Sequence, residues 1–311
     1  MQNSPYLSKE DRAMRRFVLF VVAFCFIVCL GAVAPRRPFC SHTVRTLHIV
    51  RGVHAAQLPS NWSTGECDRN DHNWGQAHVC QMRRTTFALP GGRLSVQTEN
   101  GGIQVTGEDR SDVALEARVT AWAPSESAAN EVLNQVAIET AGANVRDHGP
   151  KPLFGRSGYS VEYRILAPRH LAAELHTVNG GIVLSKMDGE IRFNTTNGGV
   201  DLTDLSGDVQ GHTVNGGMDI ALAGDGWHGE GLHAETMNGG VDLRVPANYS
   251  AHLETSTVNG GISVDFPITI QGEIKNHLDT DLGHGGPTVH VQTVNGGVSI
   301  SHNGAATGSG E

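Results

Sequence analysis

Thr177-Val178-Asn179-Gly180-Gly181-Ile182, Thr195-Thr196-Asn197-Gly198-Gly199-Val200 and Thr213-Val214-Asn215-Gly216-Gly217-Met218 are one six-residue phrase written three times at intervals of 18 residues. The same phrase recurs around four further asparagines. In order the seven are Asn100, Asn179, Asn197, Asn215, Asn238, Asn259 and Asn295, and successive subtraction gives 79, 18, 18, 23, 21 and 36. The last interval is twice 18. A unit of about twenty residues that recurs in this way marks a stacked solenoid, in which each unit covers the apolar face of the next.

The residues before each corner confirm the period. Two positions ahead of the Thr stand Val96, Leu175, Phe193, Gly211, Ala234, Thr255 and Val291, and four ahead stand Leu94, Ala173, Ile191, Val209, Leu232, Leu253 and Val289. The positions between are polar in every copy, for example Glu174/His176, Arg192/Asn194 and His233/Glu235. Alternation of this kind belongs to a strand with one buried and one wet face, and by parity the Thr is buried. Asn-Gly-Gly then supplies a sharp corner, which the sequence predicts to rest on positive φ. Alternation resumes in Ile182/Leu184, Val200/Leu202, Met218/Ile220 and Val241/Leu243. Asn-Gly also suits a two-residue hairpin. Recurrence at equal intervals favours parallel stacking instead, at roughly 4.8 Å per rung. Buried Thr hydroxyls and Asn amides are then expected to bond from rung to rung, which leaves no buried polar group unpaired.

The chain of 311 residues carries 39 Gly and only 5% aromatic residues, a composition that suits thin rungs filled by aliphatic side chains. Its formal charge is −9. Eight Lys/Arg and two Asp/Glu fall in the first 51 residues, so the remainder has 23 − 8 = 15 basic against 32 − 2 = 30 acidic groups. A body at −15 lacks the basic footprint that nucleic acid or anionic lipid requires.

Phe17 to Ala34 is a run of apolar or small residues preceded by Lys9, Arg12, Arg15 and Arg16. This pattern predicts a signal peptide or an anchor. Pro35 spoils the Ala32-Val33-Ala34 cleavage site, which favours an uncleaved membrane anchor with its N-terminus inside and an extracytoplasmic body; secretion after cleavage is the alternative. Of five cysteines, Cys25 and Cys29 lie in this run, Cys40 is left over, and Cys67 and Cys80 flank a short polar loop. Outside the cytosol a Cys67–Cys80 disulfide is expected. The same loop lacks the Gly and bidentate Glu of a calcium site.

The organisation that follows is a signal or anchor at 1–34, a tether with the disulfide loop at 35–82, an α+β capping region at 83–170, the repeats at 171–301 and a disordered tail at 302–311. Ser125 is placed to cap a helix with Ala128, Val132, Leu133 and Val136 on one face. The 36-residue interval is expected to conceal a degenerate rung around Ile268 to Leu282.

Motifs for chemistry are scarce. Gly224-Asp225-Gly226-Trp227-His228-Gly229 matches a dinucleotide fingerprint in letters, but a strand rather than a helix follows it, so it reads as a loop insertion. His176 and His212 share an outward position two rungs apart, roughly 10 Å, too far to share a zinc ion. His212 and Glu235 fall on adjacent rungs. Glu174, Arg192, His233, Glu235 and Glu254 are the nearest thing to the carboxylate face of a polysaccharide-degrading β-helix, and they read as scattered. Val178, Val214, Val258 and Val294 form an outward row, either an apolar stripe for a partner or a distortion at the corner.

The repeats resemble the bacterial putative-adhesin family of β-strand-repeat envelope proteins, whose function is undefined. The resemblance rests on the repeated phrase, on Leu89-Pro90-Gly91-Gly92-Arg93-Leu94-Ser95-Val96 leading into Asn100-Gly101-Gly102-Ile103, and on Gly285-Gly286-Pro287 leading into the last copy. It covers about Arg83 to Ser301 and implies an exported or anchored β-solenoid with no catalytic residues. The expectation is therefore a mainly β protein, a parallel β-solenoid with a small α+β N-terminal cap and an N-terminal apolar helix. Its expected role is a non-enzymatic envelope module that binds a cell-wall, glycan or protein partner, without cofactor, metal or nucleic acid. A carbohydrate-active β-helix enzyme and a sensory ectodomain of an envelope-stress system are the alternatives.

Overall fold

In the computed structural model the described residues are Cys67, 76–151, 156–266 and 276–302, all within the unit Ala56–Glu311. The apolar run 17–34, Cys25, Cys29, Cys40 and the tail beyond 302 lie outside them. Among the described residues no helix is long and apolar enough to cross a membrane.

The chain begins with β1 (Ala77–Ala88), β2 (Arg93–Asn100), β3 (Ile103–Glu108) and β4 (Asp112–Ala123). Helix α1 (Glu126–Gln135) follows, then β5 (Ala137–Glu139), β6 (Asn144–His148) and β7 (Gly158–Pro168). Next come β8 (Ala172–Asn179), the long β9 (Ile182–Asn197) and β10 (Val200–Asn215), β11 (Met218–Ala221), β12 (Gly231–Asn238) and β13 (Val241–Val245). The last are β14 (Ala251–Asn259), β15 (Ile262–Val264), β16 (His277–Leu282), β17 (Thr288–Asn295) and β18 (Val298–His302).

These strands form two walls joined at the corners. The strands ahead of each corner stack as β2-β8-β9-β10-β12-β17-β14, and those after it as β3-β9-β10-β11-β13-β18-β15, all parallel and without slippage. Like stacks on like, so Leu94, Ala173, Ile191, Val209, Leu232, Val289 and Leu253 form one buried column. Inward residues of both walls belong to a single core. Strands β9 and β10 pass from one wall to the other through a bend at Lys186 and Asp204, whose φ values are 56° and 54°. Gly189 and Gly207 sit just beyond this bend.

The stacking order departs from the sequence order. The last repeat, β17–β18, inserts between β12–β13 and β14–β15 rather than extending the end of the stack. Residues 277–282 do not form a concealed rung. They run antiparallel to β14 as β16 and cover its other edge. Within the interval of 36, the described part of the expected rung is thus an antiparallel strand, and its residues 268–275 lie outside the described residues.

The first repeat, which the sequence reading assigned to the cap, is a rung of the stack. The α+β segment loops out after β3 and returns, so that Asn100 lies beside Asn179 in register. Parallel pairing of β6 with β2 and β7 with β3 extends both walls, and β4 and then β1 add antiparallel strands beyond β7. Strand β1 therefore begins inside the stretch read as a tether. Helix α1 starts where Ser125 Oγ accepts the Ala128 amide at 3.3 Å and buries Ala129 and Leu133. The carbonyls of Leu133 in its last turn and of the C-cap residue Val136 accept from the Arg83 guanidinium of β1, which holds the helix end to the sheet.

Candidate functional site

The corners form three ladders. In the spatial order Asn259, Asn295, Asn238, Asn215, Asn197, Asn179, Asn100 each Asn amide donates to the Oδ1 of the next, Asn100 only accepting, with every bond 2.8–2.9 Å. The buried Thr hydroxyls do not bond one another. Six of the seven donate to the carbonyl of the first corner Gly on the neighbouring rung, as in Thr195 to Gly180 at 2.8 Å and Thr236 to Gly216 at 2.7 Å, while Thr98 on the end rung donates to its own Asn100 carbonyl. In return the first Gly amide donates to the Asn carbonyl of the next rung, as in Gly198 to Asn215 at 3.0 Å.

These contacts draw the rungs so close that glycine is required for want of room. Of the corner glycines only Gly101 has a positive φ, so the expectation of left-handed corners is corrected. A Cβ on Gly198 would lie 2.0 Å from the Gly180 carbonyl oxygen, and one on Gly216 2.1 Å from that of Gly198. The second glycine of each corner is less confined.

The outer face of the pre-corner wall holds the candidate side chains. Strand pleating puts alternate residues outside, and parallel register lines them up in two rows. One row reads Ser95, Glu174, Arg192, Gln210, His233, His290, Glu254 and the other Gln97, His176, Asn194, His212, Glu235, Gln292, Ser256. The imidazoles of His233 and His290 stack with centroids 4.5 Å apart and planes 14° from parallel. His233 Nε2 lies 2.9 Å from Glu235 Oε1, and His290 Nδ1 lies 3.2 Å from Glu254 Oε2. His233, Glu235 and His290 are the one trio of ligand-type residues among the described residues whose donor atoms lie within 4.8 Å of each other. Two shallow depressions flank His233, one of about 190 Å³ lined by Asp208, Gln210 and His290, the other of about 220 Å³ lined by Arg192, His212 and Glu235.

Other residues singled out from the sequence fall as follows. Arg192 bonds Asp208 at 2.9 Å, and that guanidinium holds the Asp208 carboxyl below its ordinary value. The strand carrying Asn194 separates His176 from His212, while His212 stands beside Glu235. Val178, Val214 and Val294 are half-buried and Val258 is 63% exposed. Gly224 to Gly229 is a loop before β12, and its Trp227 is buried and donates Nε1 to the Gly207 carbonyl at 3.0 Å. The insertion thus closes the core at the rear bend. Cys67 and Cys80 are bonded, with Cα atoms 5.4 Å apart.

Two features had no sequence signal. His290 meets His233 only because the last repeat stacks out of order; rungs stacked in chain order would set β17 apart from β12. Asp147 meets Tyr159 and Tyr163 only through the return of β6 and β7. Burial raises the Asp147 carboxyl, Tyr163 Oη donates to its Oδ1 at 3.3 Å, and burial pushes the Tyr159 phenol up to about 12.

The profile of the Toastrack DUF4097 family matches residues 79–301, from within β1 to within β18. The chain belongs to the Toastrack DUF4097 family. Solved structures similar to this Toastrack domain include a putative cell adhesion protein from Clostridium sporogenes, at 10% identity and a TM-score of 0.44, the match covering 72% of this chain and 100% of that one. A putative adhesin from Bacteroides fragilis is similar at 8% identity and a TM-score of 0.32, over 72% of this chain and 97% of that one. One from Parabacteroides distasonis matches at 12% identity and a TM-score of 0.32, again over 72% and 97%. Among curated proteins none matches this Toastrack chain.

Proposed function

We propose that this Toastrack domain is a non-enzymatic, adhesin-like binding module displayed outside the cytoplasm, and that it holds an envelope partner against the outer face of its pre-corner wall. The apolar run at 17–34 would tether it to the membrane, and its partner would be a cell-wall glycan or an envelope protein. The observation that carries the reading is the pair of in-register polar rows with two open depressions around His233. A parallel stack fixes neighbouring side chains about 4.8 Å apart, so it offers a repeating ligand a preorganised row of donors and acceptors. Depressions this shallow suit an extended chain better than an enclosed small molecule. The surplus of acidic groups argues for a neutral or cationic partner.

Full-length protein applied to a glycan array and to solubilised envelope fractions tests the reading. Saturable binding is expected, and Gln210→Ala together with His212→Ala should reduce it. Binding that survives loss of both side chains, or capture of no envelope component, would refute it. Hydrolysis of any member of a polysaccharide panel, abolished by Glu235→Gln, would replace it with the enzymatic alternative.

A further inference from the structure

We propose that His233, Glu235 and His290 form a site for one divalent transition-metal ion of the zinc class, a site that clamps the out-of-order last repeat to the fifth corner's strand. The proposal is independent of the binding reading above, since it concerns what the face itself holds.

Three observations carry it. The first is the donor set. Two imidazoles and one carboxylate are the ligands of open zinc sites, whereas calcium and magnesium take oxygen donors alone. The second is distance. Zinc bonds of 2.0–2.1 Å at tetrahedral angles set ligand atoms about 3.4 Å apart. The three donor atoms already lie within 4.8 Å of one another, so side-chain rotations of about 1 Å close the set while the backbone ladder stays still. The third is support around the ligands. His290 is only 17% exposed, and Glu254 Oε2 lies 3.2 Å from its Nδ1, leaving Nε2 as the ligand atom. A carboxylate that accepts from the far nitrogen of a ligating imidazole fixes its tautomer and orientation. The stack brings the His233 and His290 rings together, and coordination turns them out of parallel, because each nitrogen lone pair lies in its own ring plane. His233 borders both depressions, His290 one of them and Glu235 the other, so water or a donor from a partner can reach the trio from solvent.

The strands make this arrangement possible. His233 and His290 are register partners on β12 and β17, while Glu235 follows His233 by two residues and so shares its face. An ion there bonds the fifth corner's strand to the seventh, where the chain inserts its last repeat.

The test titrates full-length protein with zinc chloride by calorimetry, then with Co²⁺, whose visible absorption reports a four-coordinate nitrogen and oxygen environment. Wild-type protein is expected to bind one ion per chain with a dissociation constant at or below about 10 μM. His233→Ala and His290→Ala should each weaken binding more than about 100-fold, and Glu254→Gln about 10-fold through loss of the supporting carboxylate. His212→Ala and His176→Ala should leave it unchanged. Zinc should also raise the unfolding midpoint of wild type and not of His233→Ala. Because His233 lies on the surface, His233→Ala keeps the test valid if His290→Ala fails to fold. Absence of binding at about ten times that concentration would overturn the proposal, as would binding that persists in both histidine variants.

Discussion

Alanine at the first corner glycine should cost far more than alanine at the second, although the two residues are neighbours on one exposed turn. Take Gly198 and Gly199. A Cβ on Gly198 would stand 2.0 Å from the Gly180 carbonyl oxygen, while a Cβ on Gly199 would stand 3.5 Å from that of Gly217, an ordinary contact. Relieving the first clash needs the rungs to part by more than about 1 Å, against a ladder spacing of about 4.8 Å. That separation strains the Thr195 hydroxyl bond to Gly180 at 2.8 Å, the Gly180 amide bond to Asn197 at 3.0 Å and the Asn197 bond to Asn179 at 2.9 Å. Three bonds at about 0.5–1.5 kcal/mol each, weakened rather than all lost, together with an overpacking cost of about 1–3 kcal/mol, put Gly198→Ala at roughly 2.5 kcal/mol or more, with about 5 kcal/mol the midpoint of the two ranges. Gly199→Ala should stay within about 1 kcal/mol, since the lower entropy of the unfolded chain offsets a mild contact. For a domain of this size the first corresponds to a midpoint lower by about 10 °C. Thermal and urea unfolding of full-length protein followed by circular dichroism measures both. Equal costs for the two alanines, or a cost under about 1 kcal/mol for Gly198→Ala, would show that the corners are not in such close register.

Asn215→Ala removes two rungs of the amide ladder and Asn259→Ala, at its end, only one, so urea unfolding should find the internal variant about 1 kcal/mol worse. Thr255 is fully buried and its hydroxyl has no hydrogen-bond partner among the described residues, so Thr255→Val should stabilise by about 1 kcal/mol in the same assay. The hydrogen bond that the His252 imidazole donates to the Asp281 carboxylate, aided by the charge of Asp279, raises its pKa above the ordinary 6.5. Its contribution is therefore complete below that value and disappears as pH rises through the raised one. Stability measured at about pH 6 and about pH 8 should differ by a component that His252→Gln removes, and a wild-type profile identical to the variant's would contradict it.

Much of the coil was legible in the residues. Thr177, Thr195 and Thr213 are buried because alternation fixes the parity of every residue ahead of the corner, and the Ser125 cap starts α1 as the local pattern directs. Residues 277–282 misled because a coincidence of length imitates a period, while the antiparallel pairing that binds them to β14 has no local signature. The positive φ expected at the corners misled for a related reason. Glycine serves both conformational freedom and close approach, and one chain read alone does not reveal which neighbour is near. The outward histidines were visible as residues, but not as a group.

What the sequence by itself determined is the rung: its strands, its corner, its buried spine and the register in which like lies on like, because 18-residue spacing and strict alternation admit one way to bury the aliphatic side chains. What only the tertiary structure decided is the order of the rungs. Every corner offers the same amides, carbonyls and Asn side chain on both edges, so the motif that guarantees stacking is indifferent to which copy stacks on which. With β16 covering the outer edge of β14, the last repeat lies between β12 and β14, and that placement alone brings His290 against His233.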